Sequence, residues 1–144
     1  NITEAEALMK TARSPDKGKP IANNTRLYRN TDYNSYLDQW DVKRGSWTPR
    51  YSIRLHGNRI INITKHGHQL YHCGWKTVTT KDRLMKYTPY HIYQRDWEWY
   101  ITTTQGTYNF VNGMFVDTEG YAYETYPSVW TGTPLKKERM DVIE

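Results

Sequence analysis

Cysteine and long apolar runs are almost absent from this chain of 144 residues. The single cysteine, Cys73, excludes an internal disulfide and fits a reducing compartment. No apolar stretch approaches the roughly 20 residues that a membrane-spanning helix needs. We therefore expect no membrane partner, and we expect Cys73 to be a small buried hydrophobic residue rather than a nucleophile.

The motifs of the familiar enzyme classes are also missing. The sequence has no phosphate-binding loop, no dinucleotide fingerprint, no nucleophile elbow and no deaminase-type zinc motif. His66, His68 and His72 are closely spaced beside Cys73, but structural zinc sites use four firm ligands, commonly with paired cysteines. We predict solvated turn histidines, no metal and no cofactor, and we favour a protein without catalytic activity.

Aromatic residues are plentiful although hydrophobic residues are few. Aromatic residues make up 15% of the chain and hydrophobic residues 37%, with six Trp and thirteen Tyr. Disordered chains lack aromatic residues, so we expect a folded domain. We predict one domain over residues 1–130 with an aromatic rather than aliphatic core, followed by a charged tail at 131–144.

Positive charge is concentrated in the middle of the chain. Residues 19–116 contain fourteen Lys/Arg and six Asp/Glu, a net charge of +8, whereas residues 117–144 have a net charge of −3. A basic body with an acidic end is typical of proteins that bind a polyanion.

Apolar and polar side chains alternate with a period of two residues along much of the sequence. Residues 51–55 alternate apolar and polar side chains, Gly57-Asn58 is typical of a tight turn, and residues 60–64 resume the alternation, which predicts a hairpin. Thr3 and Glu6 have capping-box spacing before an apolar stripe, which predicts an amino-terminal helix. We predict a β-dominated α+β fold: a twisted antiparallel sheet or small barrel, the short amino-terminal helix and one short helix near 80–87.

The run Gly-Trp-Lys-Thr-Val-Thr-Thr-Lys-Asp-Arg at residues 74–83 resembles a motif of a family of small bacteriophage proteins to which no activity is assigned. The resemblance covers roughly residues 11–116, with Met85 where family members often have Asn. It implies a phage protein and no mechanism. Further matching positions are Gly18-Lys19, Asn23-Asn24-Thr25, residues 53–57, Tyr93-Gln94, Trp99-Tyr100, Phe110 and Gly113-Met114.

Residues 75–83, named here the Trp75 segment, are the leading functional candidate. The segment combines an aromatic face, hydroxyls and cations, and Thr79 with Asp82 has the spacing of a helix cap. The alternative is structural: a β-prone stretch with a core Trp75 and a capping Thr79. We predict nucleic-acid binding, with DNA favoured over RNA, through Trp75, Lys76, Thr79, Thr80, Lys81 and Arg83, supported by Arg54 and Arg59.

Trp97 and Trp99 have strand spacing, which predicts one shared face. With Tyr93 that face is either a platform for bases or, as is more common, one side of a β core.

Three other functions remain open from the sequence. The first is an inhibitor or adaptor that binds a host protein, since Tyr and Trp dominate binding hot spots. The second is a virion component, and the third is a metal-independent nuclease. The phage resemblance places it in the cytoplasm of the infected bacterial host. The nuclease would use His56, Lys81, Arg83 and Tyr87, with Arg54 as a further cation.

Overall fold

A computed structural model describes residues 2–10, 18–29, 40–41, 46–47, 51–64, 66–125 and 139–143, of which 40–41 and 46–47 are described by their backbone alone. The fold is a β-dominated α+β fold with antiparallel strands and two short helices, as the sequence predicts. In this described part the sheets are open and are not closed into a barrel. The chain divides into two compact units, Asn1–Lys65 and His66–Glu144.

The first unit combines a helix with a four-stranded antiparallel sheet in the order β1-β2-β5-β6, and β3 pairs with β4. Helix α1 already includes Thr3, so the predicted capping box at Thr3 and Glu6 is wrong. The elements are α1 (Ile2–Met9), β1 (Lys19–Ala22), β2 (Thr25–Arg29), β3 (Trp40–Asp41), β4 (Ser46–Trp47), β5 (Tyr51–Leu55) and β6 (Asn58–Thr64).

The predicted β5–β6 hairpin is confirmed, with a turn one residue earlier than expected. His56 and Gly57 occupy the turn with φ of 51° and 81°, and Asn58 already belongs to β6. Two positive φ angles match the right-handed twist of a hairpin, which is why a glycine lies here. The alternation places Ile53 opposite Ile61 on the buried face.

The described core of this unit is aliphatic, whereas the sequence predicted an aromatic one. Among its described residues, Tyr51 is the one aromatic residue in the buried apolar set; the others are aliphatic, led by Leu27, Ile53 and Ile61. Aliphatic side chains carry no polar atom, so they fill a thin layer between a helix and a sheet without needing a hydrogen-bond partner.

The second unit contains two three-stranded antiparallel sheets, in the orders β7-β11-β12 and β10-β9-β8, and a second helix. Its core mixes aliphatic residues with Trp99, Tyr108 and Phe115. Its elements are β7 (Gly67–Leu70), α2 (Val78–Lys86), β8 (His91–Arg95), β9 (Glu98–Thr103), β10 (Gly106–Asn109), β11 (Met114–Asp117) and β12 (Ala122–Tyr123).

The carboxyl-terminal residues 139–143 pack on this unit through backbone hydrogen bonds. Arg139 forms a β-bridge with Tyr123, and the Ile143 N–H donates to the Thr107 carbonyl at 2.8 Å. The division into a domain at 1–130 and a tail at 131–144 stays a prediction, because residues 126–138 lie outside the described part.

Neither described helix is a candidate for crossing a membrane. Helix α1 has eight residues and α2 has nine, and no helix of the described residues is both long and apolar enough to span a bilayer.

Candidate nucleic-acid-binding surfaces

Three arginines lie in register across three neighbouring strands of the first unit. Arg54 on β5 is the cross-strand partner of Arg26 on β2 and, after a register shift between Ile53 and Arg54, of Arg59 on β6. Directly opposed residues point to the same face, with Cα atoms about 4.5–5.5 Å apart. We name this set the arginine row. Sequence reasoning identified Arg54 and Arg59 but missed Arg26, whose alternation with Tyr28 is visible in the sequence of β2.

Two members of the row, Arg26 and Arg54, are held by aromatic and backbone contacts. The Arg54 guanidinium lies 4.3 Å from the centroid of the Tyr28 ring, within the range of a cation–π contact. The Arg26 side chain donates to the Gly18 carbonyl at 3.3 Å, and the Gly18 backbone lies against the Tyr28 ring. In the described part of the chain neither Arg26 nor Arg54 forms an ion pair.

Opposed like charges destabilise a sheet, so this arrangement has an electrostatic cost in the free protein. Arg54 adds to it, because its Nε is buried and, among the residues that the structure describes, meets no hydrogen-bond acceptor. A polyanion placed over the row reduces the mutual repulsion of the three guanidinium groups.

The net charge is divided unevenly between the units. The first unit contains twelve Lys/Arg and six Asp/Glu, a net charge of +6, whereas the second contains eight and nine, a net charge of −1. The predicted Trp75 segment therefore lies in the unit that carries no excess positive charge.

The Trp75 segment is a loop followed by the start of α2, not the β-prone stretch considered above. Trp75 is 62% exposed, so it is not a core residue. The N-cap of α2 is Thr77, whose hydroxyl accepts from the Thr80 N–H at 3.2 Å. Thr79 lies inside the helix, which corrects the predicted cap. Three threonines within four positions each offered a capping hydroxyl, and the one with extended backbone angles does the capping.

We expect Thr77→Ala to lower the free energy of unfolding by about 1 kcal/mol, because the Thr80 N–H loses its acceptor. Thr79→Ala is the matched control, and its expected effect lies within about 0.5 kcal/mol because its side chain is exposed. Urea denaturation measures both. A larger loss for Thr79→Ala than for Thr77→Ala contradicts the cap.

The predicted contacts in this segment have different surroundings. Lys76 and Thr79 are exposed. Thr80 is 2% exposed and its hydroxyl lies 3.0 Å from that of Thr77, so it lies inside the start of the helix rather than on the predicted contact surface. Lys81 is half-buried with its ammonium 5.7 Å from the Trp99 ring centroid. Arg83 donates to Asp82 at 2.6 Å.

The residues of the nuclease alternative are distributed over both units. His56 is exposed in the β5–β6 turn of the first unit. Lys81 and Arg83 lie on α2 of the second unit, and Tyr87 is its C-cap. Burial raises the pKa of Tyr87, so its hydroxyl ionises less readily than that of an exposed tyrosine. Arg83 influences the pKa of Tyr87, four residues later in the chain, whereas His56 belongs to the other unit, and the nuclease stays a prediction.

Two of the three closely spaced histidines, His68 and His72, are not solvated turn residues, which corrects that expectation for them, whereas His66 is a half-buried turn residue. His68 is buried on β7, with Nδ1 3.0 Å from the Tyr90 hydroxyl. His72 is half-buried between the Trp99 and Phe110 rings, and burial lowers its pKa. Among the described residues no three His, Cys, Asp or Glu side chains are grouped to hold a metal ion.

Cys73 is half-buried rather than fully buried, and its φ of 54° places it in a turn. Burial raises the pKa of its thiol, so the unreactive thiol form dominates at neutral pH.

Trp97 and Trp99 do not share a face, so that prediction is wrong. Trp97 occupies the β8–β9 turn with a φ of 69° and is 85% exposed, whereas Trp99 is 2% exposed in the core. A turn residue does not follow the alternation of the strand after it, because period two holds inside a strand only.

The sequence matches a protein-family model. The family model described as Kyanoviridae Gp96 protein matches residues 20–117, which is more than half of the chain and includes both the arginine row and the Trp75 segment. No curated protein and no solved structure matches. The chain therefore belongs to the Kyanoviridae Gp96 family of bacteriophage proteins.

Proposed function

We propose that this protein binds nucleic acid, with DNA as the partner, through the arginine row of its first unit. The carrying observation is the register of Arg26, Arg54 and Arg59 on three neighbouring strands. A phosphate backbone supplies negative charge at regular spacing, and guanidinium groups bind phosphate oxygens with two parallel hydrogen bonds.

Two further features support the proposal. The net charge of +6 on the first unit attracts a polyanion before contact, which raises the association rate. The cation–π contact with Tyr28 restricts the Arg54 guanidinium, so less side-chain entropy is lost when a phosphate binds.

Trp75 and Lys76 form a second candidate contact, in the other unit. An exposed indole beside an exposed ammonium suits a base and its phosphate, and stacking of this kind contributes about 1–3 kcal/mol per base. Because that unit has a net charge of −1, we assign it a secondary role. Binding to phage or host DNA places the protein in the cytoplasm of the infected bacterium.

Fluorescence anisotropy with labelled single-stranded and duplex DNA and RNA tests the proposal. For three neutralised phosphates on duplex DNA, we expect affinity to fall about 40-fold between 50 and 200 mM salt. We expect Arg54→Gln to lower affinity about tenfold at 50 mM salt and to reduce the salt slope by about 1.

The matched control is Arg95→Gln in the second unit, where Arg95 is exposed and lies opposite Glu98. We expect this variant to bind like the wild type. Absence of binding to all four nucleic acids at 50 mM salt overturns the proposed function. An unchanged affinity of Arg54→Gln removes the arginine row from it.

A further inference from the structure

The β8–β10 sheet of the second unit has one open face that none of the functions above uses. Its inner face is buried by Ile92, Trp99 and Ile101. Its outer face, named here the ring face, is made of three cross-strand rows. The rows are His91–Thr102–Thr107, Tyr93–Tyr100–Asn109 and Arg95–Glu98.

Three rings lie almost parallel on the ring face. The centroids of His91 and Tyr93 are 5.7 Å apart with an interplanar angle of 26°, and those of Tyr93 and Tyr100 are 5.4 Å apart with an angle of 27°. His91 is exposed and the two tyrosines are half-buried. Together they form a continuous aromatic strip that remains open to solvent.

A strained, exposed tryptophan lies in the turn that follows the Arg95–Glu98 row. Asp96 and Trp97 form the β8–β9 turn with φ of 51° and 69°. Asn and Gly dominate such turns, and a positive φ is unfavourable for a residue as bulky as Trp. The Trp97 ring is 85% exposed, so no packing offsets this cost. Strain of this kind, maintained without a packing benefit, is typical of a functional site.

The charges at this end do not suit a polyanion. Arg95 lies opposite Glu98 in register, and the side chain of Asp96, which precedes Trp97 in the chain, is 90% exposed. Two carboxylates against one guanidinium repel phosphate, and the whole unit has a net charge of −1. The same carboxylates are strong acceptors for hydroxyl groups. Charge complementarity therefore favours a neutral ligand that is rich in hydroxyls.

We propose that the ring face binds a neutral oligosaccharide. The C–H faces of pyranose rings carry partial positive charge and pack on the electron-rich faces of Trp97 and the tyrosine strip. Sugar hydroxyls donate to the carboxylates of Asp96 and Glu98 and accept from the Arg95 guanidinium. The proposed site shares no residue with the arginine row, so the test of glycan binding is separate from the test of DNA binding.

A glycan array of neutral glucans, mannans and chitooligosaccharides, probed with the full chain, tests the proposal. The best-retained oligosaccharide is then titrated while the indole N–H signals are followed by NMR. We expect the Trp97 signal to shift. We expect Trp97→Ala to weaken binding about tenfold, since a central aromatic anchor is lost, and Trp97→Phe to retain most of it.

Trp75→Ala is the matched control, because it removes another exposed indole of the same unit and is expected to leave glycan affinity unchanged. Trp97 is so exposed that its replacement leaves the core intact, and far-UV circular dichroism verifies this. Retention of no neutral glycan overturns the proposal, as does a wild-type affinity for Trp97→Ala. A shift of the Trp97 signal by single-stranded oligothymidine and by no glycan makes the ring face a nucleic-acid surface and equally overturns it.

Discussion

Lowering the pH from 7 to 4 is expected to remove about 3 kcal/mol of unfolding free energy through His68 alone. His68 is buried on β7, and burial lowers its pKa from 6.5 to about 4. The folded protein therefore keeps the ring neutral while the unfolded chain binds a proton below pH 6.5. The stabilisation by the neutral ring is complete above pH 6.5. It falls by about 1.4 kcal/mol per pH unit until the folded protein also binds the proton near pH 4.

Urea denaturation at pH 7, 6, 5 and 4 measures this loss. In His68→Gln we expect lower stability at pH 7, because the contact with the Tyr90 hydroxyl is altered, but a decline with pH that is smaller by about 3 kcal/mol. His91→Gln is the matched control, since His91 is exposed, and its profile should follow the wild type. Parallel profiles for the wild type and His68→Gln contradict the assignment.

The hairpins were predictable because their determinants are local. Residues 51–64 show period-two alternation on both sides of a glycine, and the register that pairs Ile53 with Ile61 follows from burying one face. The turn was misplaced by one residue because His56, a side chain that is uncommon at positive φ, occupies its first position.

The aromatic residues were harder to place, because sequence spacing does not distinguish a turn from a strand end. Asp96 carries a positive φ and moves Trp97 out of the alternation that Trp99 follows. The exposed Trp75 lies in a loop whose flanking threonines are also good strand formers. In both cases the exposure of the tryptophan depends on backbone angles, and the pattern of apolar and polar neighbours in the sequence does not determine those angles.

The arginine row needed non-local information. Arg26 is separated from Arg54 and Arg59 by many residues of sequence. The pairing of β2 with β5 brings the three arginines together, and this pairing is not visible in a local sequence pattern. The charge count over residues 19–116 shows an excess of positive charge but does not locate it in the fold, because that window includes residues of both units. Separated by unit, the positive charge accompanies the arginine row and the acidic end accompanies the ring face. This difference in charge is why we propose different ligands for the two surfaces.

The largest effect on stability is expected for Asp117→Ala, about 4 kcal/mol. Asp117 is 7% exposed at the end of β11. Its Oδ1 accepts from the Glu119 and Tyr121 N–H groups at 3.0 and 2.9 Å, and its Oδ2 accepts from the Tyr123 hydroxyl at 2.9 Å. Burial raises the pKa of Tyr123 to about 12, so this hydroxyl remains a donor at neutral pH. Removing the carboxylate takes this acceptor away from three donors, one of them in the core.

Asp117→Asn separates the hydrogen bonds from the charge. An amide oxygen in place of Oδ1 still accepts from the two backbone N–H groups, so we expect a smaller loss of about 2 kcal/mol. Glu119→Ala is the control, because the Glu119 side chain is exposed.

The Arg139 Nε donates to the Tyr123 hydroxyl at 3.4 Å, so Asp117→Ala should also loosen residues 139–143. Hydrogen exchange at the Met140 N–H, which donates to the Ala122 carbonyl, measures this effect. Unchanged protection there, with a stability loss no greater than that of Glu119→Ala, shows that Asp117 does not organise this end of the unit.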